Sequence, residues 1–233
     1  MQSASQELEL YNLLRINNLC YCLKDLKSYP ESKSDIITLL ELLFKESNGF
    51  QLSSGFRAPQ FVYGELLNFD EYLSVFSHSS NLKNSNSIFC DLGSGVGKAN
   101  LLVATCFNIH KSVGIEYINR LTQYSNSRKR LLSNTFSKYK KALPEIEFIR
   151  GDILKCQENW KNADVFFINC VCWEQKMMRR LLSAFENLKI GSEIFSTNPL
   201  NRKNLCLVEQ ILCKAGWSDT KIYLYTIKPT NPN

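Results

Sequence analysis

The chain has 233 residues, of which 44% are hydrophobic and 21% are charged, and its formal net charge is +6. These proportions fit a globular protein with one domain and an extension, or with two small domains, and they exclude a collagen-like or mostly disordered chain. The modest positive charge permits contact with nucleic acid or an acidic surface but does not require it.

The sequence contains no apolar stretch as long as a membrane-spanning helix, and its first residues lack the basic start and apolar middle of a signal peptide. Its nine cysteines are odd in number and include no CxxC pair, which favours free thiols over disulfides or a zinc site. We therefore expect an intracellular protein with no membrane segment and no bound metal.

Residues 1–60 carry apolar side chains at helical spacing, which predicts two or three helices. Pro30 interrupts the pattern, and Ser32 or Ser34 is placed to cap the helix that follows it. The Asn48-Gly49 pair then ends that helix. The prediction is a small helical region over 1–60 that precedes a larger domain over 61–233.

From residue 87 onward, short apolar runs alternate with longer amphipathic stretches, which is typical of a parallel sheet with crossover helices. The continuous apolar run at residues 165–168 indicates a strand covered on both faces. A final run at 222–227 is expected to close the sheet in the antiparallel direction. The five candidate parallel strands are 87–91, 112–116, 146–150, 165–169 and 193–197.

A glycine-rich turn directly follows the first of these strands, in the pattern D-x-G-x-G-x-G from Asp91 to Gly97. Glycines at such a turn let a ligand approach the backbone closely. Glu116 lies 19 residues beyond Gly97, at the end of the next strand, where a carboxylate can accept both hydroxyls of a ribose. The leading acid repels a pyrophosphate but attracts a cationic amino acid, so a nucleoside-containing cofactor with such a group is indicated.

This arrangement resembles class I S-adenosylmethionine-dependent methyltransferases. In those enzymes the first acid and the glycine turn hold the methionine portion of the cofactor, the second acid holds the ribose, and an acid after the third strand meets the adenine. Gly151-Asp152-Ile153 fits that third place. The alternative is a doubly wound domain that binds no cofactor and whose glycines serve only the backbone.

A narrower resemblance rests on Phe61-Val62-Tyr63-Gly64-Glu65, on the glycine turn, on Gly151 to Leu154 with Trp160 after it, and on 165–169. These stretches, in this order, are similar to the disruptor-of-telomeric-silencing family of non-SET histone lysine methyltransferases. The resemblance covers roughly residues 60 to 228. It implies a class I, Rossmann-like α/β fold, with a mostly parallel seven-stranded sheet and helices on both faces.

The resemblance also implies S-adenosylmethionine as the cofactor and assigns roles to particular residues. Asn169 is placed at the mouth of the transfer channel and is a catalytic candidate together with Tyr63 and Tyr223. The cofactor-binding candidates are Tyr63, Glu65, Asp91, Gly93, Ser94, Gly95, Gly97, Glu116, Asp152, Ile153 and Asn169.

Two groups of candidates have a structural alternative. An aromatic channel for a neutral lysine amine is expected from Tyr63, Phe166, Trp173, Tyr223 and Tyr225, although Phe166 and Tyr225 fit equally well as core residues. Asn169 has the alternative of capping the turn that ends its strand.

The sequence departs from the family pattern at three positions. Cys170 follows Asn169 where the family usually has a second asparagine, and Ile222 stands in the place of a channel aromatic. Lys98 replaces a polar uncharged residue after the glycine turn, which the site tolerates if the lysine side chain points to solvent. The residues expected to bind the cofactor therefore match the family better than those expected to form the acceptor channel.

The resemblance implies a histone lysine as the default acceptor, with the histone in nucleosomes, and the enzyme is then nuclear. Basic runs at 128–130, 138–141, 179–180 and 202–203 are candidates for weak nucleic-acid contact, or are solvated helix faces. The alternatives are a methyltransferase acting on another protein, an RNA or a small molecule, for which a cytoplasmic location is expected, or an inactive cofactor-binding scaffold. The sequence leaves the oligomeric state open.

Overall fold

A computed structural model of the chain describes residues 32–45, 49–54, 64–138, 142–216 and 218–229. Within the predicted helical region, α1 spans Lys33–Phe44 and α2 spans Gly49–Ser53. Ser32 caps α1, as predicted: its Oγ accepts from the Asp35 amide at 3.1 Å, and the Asp35 carboxylate accepts from the Ser32 amide at 3.2 Å. The predicted end at Asn48-Gly49 differs, because α1 ends at Phe44 and Gly49 begins α2.

The remaining elements follow the predicted alternation of strands and helices. The further helices are α3 (Phe69–Ser77), α4 (Lys98–Cys106), α5 (Asn119–Lys138), α6 (Gln157–Trp160) and α7 (Gln175–Ala184), with short 3₁₀ turns at Asn81–Lys83 and Phe185–Asn187. The strands are β1 (Ile88–Leu92), β2 (Lys111–Glu116), β3 (Glu145–Arg150), β4 (Val165–Ile168), β5 (Glu193–Ser196), β6 (Leu205–Lys214) and β7 (Asp219–Ile227).

The strands form one seven-stranded sheet in the order β3-β2-β1-β4-β5-β7-β6. The first five strands are parallel, and β7 pairs antiparallel with both β5 and β6. The five predicted parallel strands and the antiparallel closure are therefore confirmed. Strand β6 was not predicted from the hydrophobic runs; it lies at the sheet edge, and a bulge between Leu207 and Glu209 interrupts its register.

Helices cover both faces of the sheet, as expected, and β4 shows how the two cores divide. Val165 and Phe167 point into the core on the α3 and α4 side, whereas Phe166 and Ile168 point into the core on the α6 and α7 side. All four are buried, and each large apolar side chain so buried contributes about 1.5–3 kcal/mol. Phe166 is thus a core residue, which is the structural alternative named for it.

Helix α1 belongs to the first of these cores. Ile37 and Leu40 are buried in the same cluster as Val103 of α4 and Leu131 of α5. This part of the helical region therefore covers the sheet. Among the described helices, none has the length and apolar character needed to span a membrane.

The strand order creates a crevice at one end of β1. The chain passes from β1 to β2 on one side, and later returns to β4 on the other side of β1. In parallel sheets, ligands bind outside the carboxyl ends of the strands at such a reversal of strand order. Here the carboxyl ends that meet are those of β1 at Leu92, β2 at Glu116 and β4 at Ile168.

Candidate active site

A cleft opens at the carboxyl ends of β1, β2 and β4. The predicted site residues that line it lie at strand ends, in the glycine turn or in the loop before α3: Glu65, Asp91, Gly93, Ser94, Gly95, Glu116 and Asn169. Tyr63, predicted to be both catalytic and cofactor-binding, falls outside the described residues.

Main-chain atoms of the glycine turn line part of the cleft. Gly93 and Gly95 have φ angles of +91° and +55°, which residues other than glycine rarely adopt. The amides of Gly93 and Ser94 both donate to the Ile115 carbonyl of the neighbouring strand, at 2.8 and 3.0 Å. A Cβ on Gly93 would lie 3.2 Å from Cζ2 of Trp173, so the turn also leaves no room for a side chain on that side.

Gly97 has a different place from the other two glycines. It is not among the residues that line the cleft. At its φ of +88°, a Cβ would lie 2.6 Å from Phe148 Cζ and 2.9 Å from Ser125 Cβ. The structure thus places this predicted cofactor-binding residue behind the cleft, where it permits close packing of the start of α4 against α5 and β3.

Glu116 ends β2 and is held by backbone amides on both sides. One oxygen of its carboxylate accepts from the Gly95 amide at 2.9 Å and the other from the Ile118 amide at 2.7 Å. Burial raises the pKa of Glu116, and these two hydrogen bonds act in the opposite direction. Because each carboxylate oxygen has two lone pairs, the oriented group can still accept hydroxyls from a ligand.

Asp91 lies at the centre of the cleft wall and is only 4% exposed. Burial raises its pKa well above the ordinary value, and the neighbouring carboxylate of Glu116 raises it further. A buried carboxylate next to another is costly unless a positive group approaches. This pair therefore favours a cationic ligand.

Lys98 does not point to solvent, so the condition under which its replacement would leave the site unaffected is not met. It is the first residue of α4, directly after the glycine turn, and its side chain turns into the cleft. Its Nζ lies 2.7 Å from Oε1 of Glu65, and the two side chains are only 13% and 21% exposed. Its Nζ also lies 6.0 Å from the centre of the Phe69 ring, so the ammonium is held between the loop that carries Glu65 and the first residue of α3.

Asn169 ties the end of β4 to that loop. Its Nδ2 donates to the carbonyl of Gly64 at 2.8 Å, so its side chain bridges two distant segments rather than capping its own turn. The loop is fixed at two further points: the Glu65 carbonyl accepts from Gly216 at 3.0 Å, and the Leu66 amide donates to the hydroxyl of Tyr72 at 3.2 Å.

The segment after β4 brings Trp173 to the cleft but not Cys170. The Cys170 amide donates to Thr197 Oγ1 at 2.8 Å, and its carbonyl accepts from Trp173 and from Asn198 at 3.1 and 2.9 Å. The Cys170 thiol is buried beside Ser196, and burial raises its pKa. The departure from the family pattern at this position therefore places no thiol in the cleft.

The predicted channel residues on β7 do not line the cleft. Ile222 is fully buried in the core beneath α3, so its replacement of an aromatic leaves the cleft wall unchanged. Tyr223, a catalytic candidate, is half-buried against the opposite core. Tyr225 is buried and its hydroxyl accepts from the Leu200 amide at 2.9 Å, which is the core alternative named for it.

Asp152 and Ile153 line a neighbouring depression of about 880 Å³ instead of the main cleft. The two spaces share Tyr117 and Met177 as walls. Oδ1 of Asp152 accepts from the Leu154 amide at 2.9 Å, which fixes the turn after β3. The predicted adenine-contacting residues thus lie beyond Tyr117, on the far side from Asp91.

Several lining residues were not predicted. Tyr117 and Ile118 directly follow Glu116, the acid that ends β2. This position in the sequence could have identified them as residues that line the cleft. Met177 of α7 and Tyr72 of α3 reach the cleft only through the tertiary packing of their helices. Within the described ranges there is no group of three or more side chains placed to hold a metal ion.

Residues 51–214, more than half of the chain, match the family model described as histone methylation protein DOT1. Similar curated proteins include two histone-lysine N-methyltransferases described as specific for lysine-79 of histone H3. The one from Kluyveromyces lactis is 30% identical over 140 residues, which make up 58% of this chain and 24% of the relative. The one from Drosophila melanogaster is 25% identical over 157 residues, which make up 66% of this chain and 8% of the relative. The chain thus spans about a quarter or less of the length of these relatives.

Solved structures share the fold at low sequence identity. Magnesium protoporphyrin IX methyltransferase from Synechocystis, with bound S-adenosylhomocysteine, has a TM-score of 0.53 at 10% identity, covering 84% of this chain and 99% of that chain. The Escherichia coli protein yhhF has a TM-score of 0.51 at 12% identity, covering 69% of this chain and 86% of that chain. These likenesses establish the class I methyltransferase fold.

Proposed function

The chain belongs to the DOT1 family of histone methylation proteins, and from that membership we propose that it transfers a methyl group from S-adenosylmethionine to a protein lysine, with a histone as acceptor. The observation that supports this most strongly is the position of two carboxylates in the cleft. Asp91 and Glu116 lie at the ends of adjacent strands, with the glycine turn between them. Because the relatives carry the description H3 lysine-79 specific, that lysine is the first acceptor to test.

The residues of the cleft suit this cofactor chemically. S-adenosylmethionine supplies a methyl group on a positively charged sulfur and carries an amino acid at one end and a nucleoside at the other. Asp91 would meet positive charge, and the Glu116 carboxylate, oriented by two amides, would accept the ribose hydroxyls. Ser94 adds a buried hydroxyl that has no hydrogen-bond partner among the described residues.

Alignment is the main contribution of the protein to such a transfer, since an in-line displacement needs no covalent enzyme intermediate. Asn169 would stand between the cofactor and the acceptor, with its amide fixed by Gly64. Trp173 supplies an aromatic face at the same mouth. A partly apolar mouth favours the neutral lysine amine over the charged one, because burial disfavours the ammonium.

The acceptor surface is proposed to include the exposed basic face of α7. Lys176 and Arg180 line the depression beside the cleft, and Arg179 is exposed on the same helix. Such a face would contact the acidic or phosphate groups of a nucleosome. With a histone as acceptor, the protein would act in the nucleus.

Other predicted basic groups have structural roles. The guanidinium carbon of Arg128 lies 4.2 Å from the centre of the Tyr124 ring and the side chain is buried. Arg202 pairs with Glu186 at 2.9 Å. Residues 139–141 of the second run lie outside the described part of the chain.

A methyl-transfer assay with radiolabelled S-adenosylmethionine tests the proposal, with nucleosomes, free histones and RNA as acceptors and Asp91→Asn as the blank. We expect label on a histone lysine, and none with the variant. Label on RNA would support the RNA alternative. Binding of the cofactor without transfer to any acceptor would support an inactive scaffold.

A further inference from the structure

The wall of the cleft contains a buried tyrosine, Tyr72 of α3, that the sequence patterns did not indicate. We propose that Tyr72 is a positioning residue for methyl transfer. Its hydroxyl holds the loop at Leu66, as Asn169 holds it at Gly64, and together they fix the mouth through which the acceptor amine approaches. The inference rests on the proposed function and adds to it a residue on the acceptor side of the cleft.

The ring of Tyr72 packs among three phenylalanines. Its centre lies 6.3 Å from that of Phe69, 6.2 Å from that of Phe76 and 6.1 Å from that of Phe167. The side chain is only 4% exposed, and burying a hydroxyl is unfavourable unless the group forms a hydrogen bond. A phenylalanine would fit these surroundings, so packing explains the ring of Tyr72 but not its hydroxyl.

The hydroxyl is explained by its contact with the loop. The Leu66 amide donates to the Tyr72 hydroxyl at 3.2 Å, and Leu66 is 1% exposed. The loop also pairs with the end of β6, where Leu66 lies opposite Ala215 and the Leu67 amide donates to the Lys214 carbonyl at 3.0 Å. This pairing does not use the Leu66 amide. Without the Tyr72 hydroxyl, a buried amide would lose its partner.

Helix α3 is itself fixed, so it can serve as a support for the loop. Asn68 caps the helix, because its Oδ1 accepts from the Glu71 amide at 2.9 Å. The Glu71 carboxylate in turn accepts from the Lys214 amide at 3.0 Å. With its ring enclosed in the core and its helix held at the first turn, Tyr72 has a defined position that does not depend on the Leu66 contact.

The contact lies where a small displacement would affect the reaction. Tyr72 and Asn169 line the same cleft, and Nδ2 of Asn169 donates to the Gly64 carbonyl at 2.8 Å, two residues before Leu66. Side chains from two different elements thus hold both ends of a three-residue segment at the mouth. Because transfer requires close alignment of the reacting atoms, a misplacement of about 1 Å can lower the rate about 100-fold. The glycine turn and the strand-end carboxylates are not part of this contact.

The test is Tyr72→Phe, which keeps the ring and removes the hydroxyl. Transfer from radiolabelled S-adenosylmethionine to nucleosomes and to free histones gives kcat, and calorimetry with S-adenosylhomocysteine gives the affinity and the fraction of protein that binds. We expect kcat per binding-competent molecule to fall by about tenfold or more, while affinity for S-adenosylhomocysteine stays within about threefold. The melting temperature should fall by about 2–4 °C, since the Leu66 amide loses its partner.

Tyr225→Phe is the matched control. The Tyr225 hydroxyl also accepts from a backbone amide, that of Leu200 at 2.9 Å, but it is buried on the other face of the sheet and does not line the cleft. This variant should lose a similar amount of stability and keep the kcat of the wild type.

Equal kcat values in the two variants would show that the Tyr72 hydroxyl only stabilises the fold, and would overturn the inference. A loss of S-adenosylhomocysteine affinity as large as the loss of kcat would also overturn it, because Tyr72 would then be a cofactor contact. If the wild-type protein neither binds S-adenosylhomocysteine nor labels a histone, the proposed function fails and the inference fails with it.

Discussion

The cofactor side of the cleft, proposed for the ends of β1 and β2, and the acceptor side, proposed for residues 169–173 and the loop at 64–66, differ in how far apart in the chain their contacting residues lie. On the cofactor side, backbone amides of the glycine turn bond to Ile115, and Glu116 sits between two amides. On the acceptor side, the side chain of Asn169 joins the loop to the end of β4, the Gly216 amide bonds to the Glu65 carbonyl of the loop, and Val171 is 41% exposed.

This difference explains what each side requires of the sequence. Backbone contacts at parallel strand ends follow from the sheet topology, so a short motif is enough to specify the cofactor side. Side-chain contacts between segments about a hundred residues apart depend on tertiary packing. The residues of the acceptor side are therefore harder to recognise from a short motif than those of the cofactor side.

The largest effect is expected when the cofactor side loses its central charge. Asp91→Asn should weaken binding of S-adenosylhomocysteine by about 100-fold or more, because it removes a buried charge that faces a cationic ligand group. The melting temperature should stay the same or rise, since the variant relieves repulsion with Glu116. Calorimetry and thermal melting measure the two quantities.

Asp164→Asn is the control for this substitution. Asp164 is also partly buried, and it accepts from the Ile88 amide at 2.9 Å at the opposite end of the sheet. The control should lower stability by about 1 kcal/mol and leave cofactor affinity unchanged. An Asp91→Asn protein that binds as tightly as the wild type would contradict the assignment of the cofactor side.

A second substitution tests whether Gly97 is needed for packing, in contrast to Gly93 and Gly95, which line the cleft. Gly97→Ala should lower the free energy of unfolding by about 2–4 kcal/mol, because it combines a strained φ with a clash against Phe148. The folded fraction should bind S-adenosylhomocysteine normally. Chemical denaturation and calorimetry provide the two measurements.

Gly191→Ala is matched to it in backbone conformation, with a φ of +87°, but its Cβ would meet nothing within 4 Å. It should cost only the strain, about 1–2 kcal/mol. Equal destabilisation by the two substitutions would show that the contact with Phe148 is unimportant.

On the acceptor side, Asn169→Ala should lower turnover by about tenfold while cofactor affinity stays within about threefold, since one positioning hydrogen bond is lost. Asn204→Ala offers a comparison, because its amide also bonds a distant carbonyl, of Phe185 at 3.1 Å, outside the cleft. That variant should lose stability but not turnover. A full methylation rate in Asn169→Ala would place this residue outside the reaction.

The smallest effect concerns pH. Because the folded pKa of Asp91 is raised, its stabilising contribution is complete below the ordinary value of 3.8 and is lost as pH rises through the raised pKa. Relative to Asp91→Asn, the wild type should lose stability with rising pH, by at most about 1.4 kcal/mol per pH unit. Denaturant unfolding of both proteins at a series of pH values measures this. A stability difference that does not change with pH would contradict it.

The sequence predicted the five parallel strands, the cap at Ser32 and the lining residues from Asp91 to Gly95 with Glu116, because all follow from local patterns and from the topology they specify. It did not predict β6, because this strand lies at the exposed edge of the sheet, contains a bulge and shows no regular alternation of apolar and polar side chains. Nor did it predict the inward turn of Lys98, which depends on the loop that covers it. The core position of Ile222 was not predicted either, because the pairing of β7 with its neighbouring strands decides which face of the sheet each of its side chains occupies.

The most direct test of which side of the cleft serves the cofactor is a crystal structure of the chain with S-adenosylhomocysteine. We expect the ribose hydroxyls on the carboxylate of Glu116, the amino acid end beside Asp91 and the glycine turn, and the sulfur directed toward Asn169. A ligand bound in the reverse orientation, or bound outside this cleft, would contradict it.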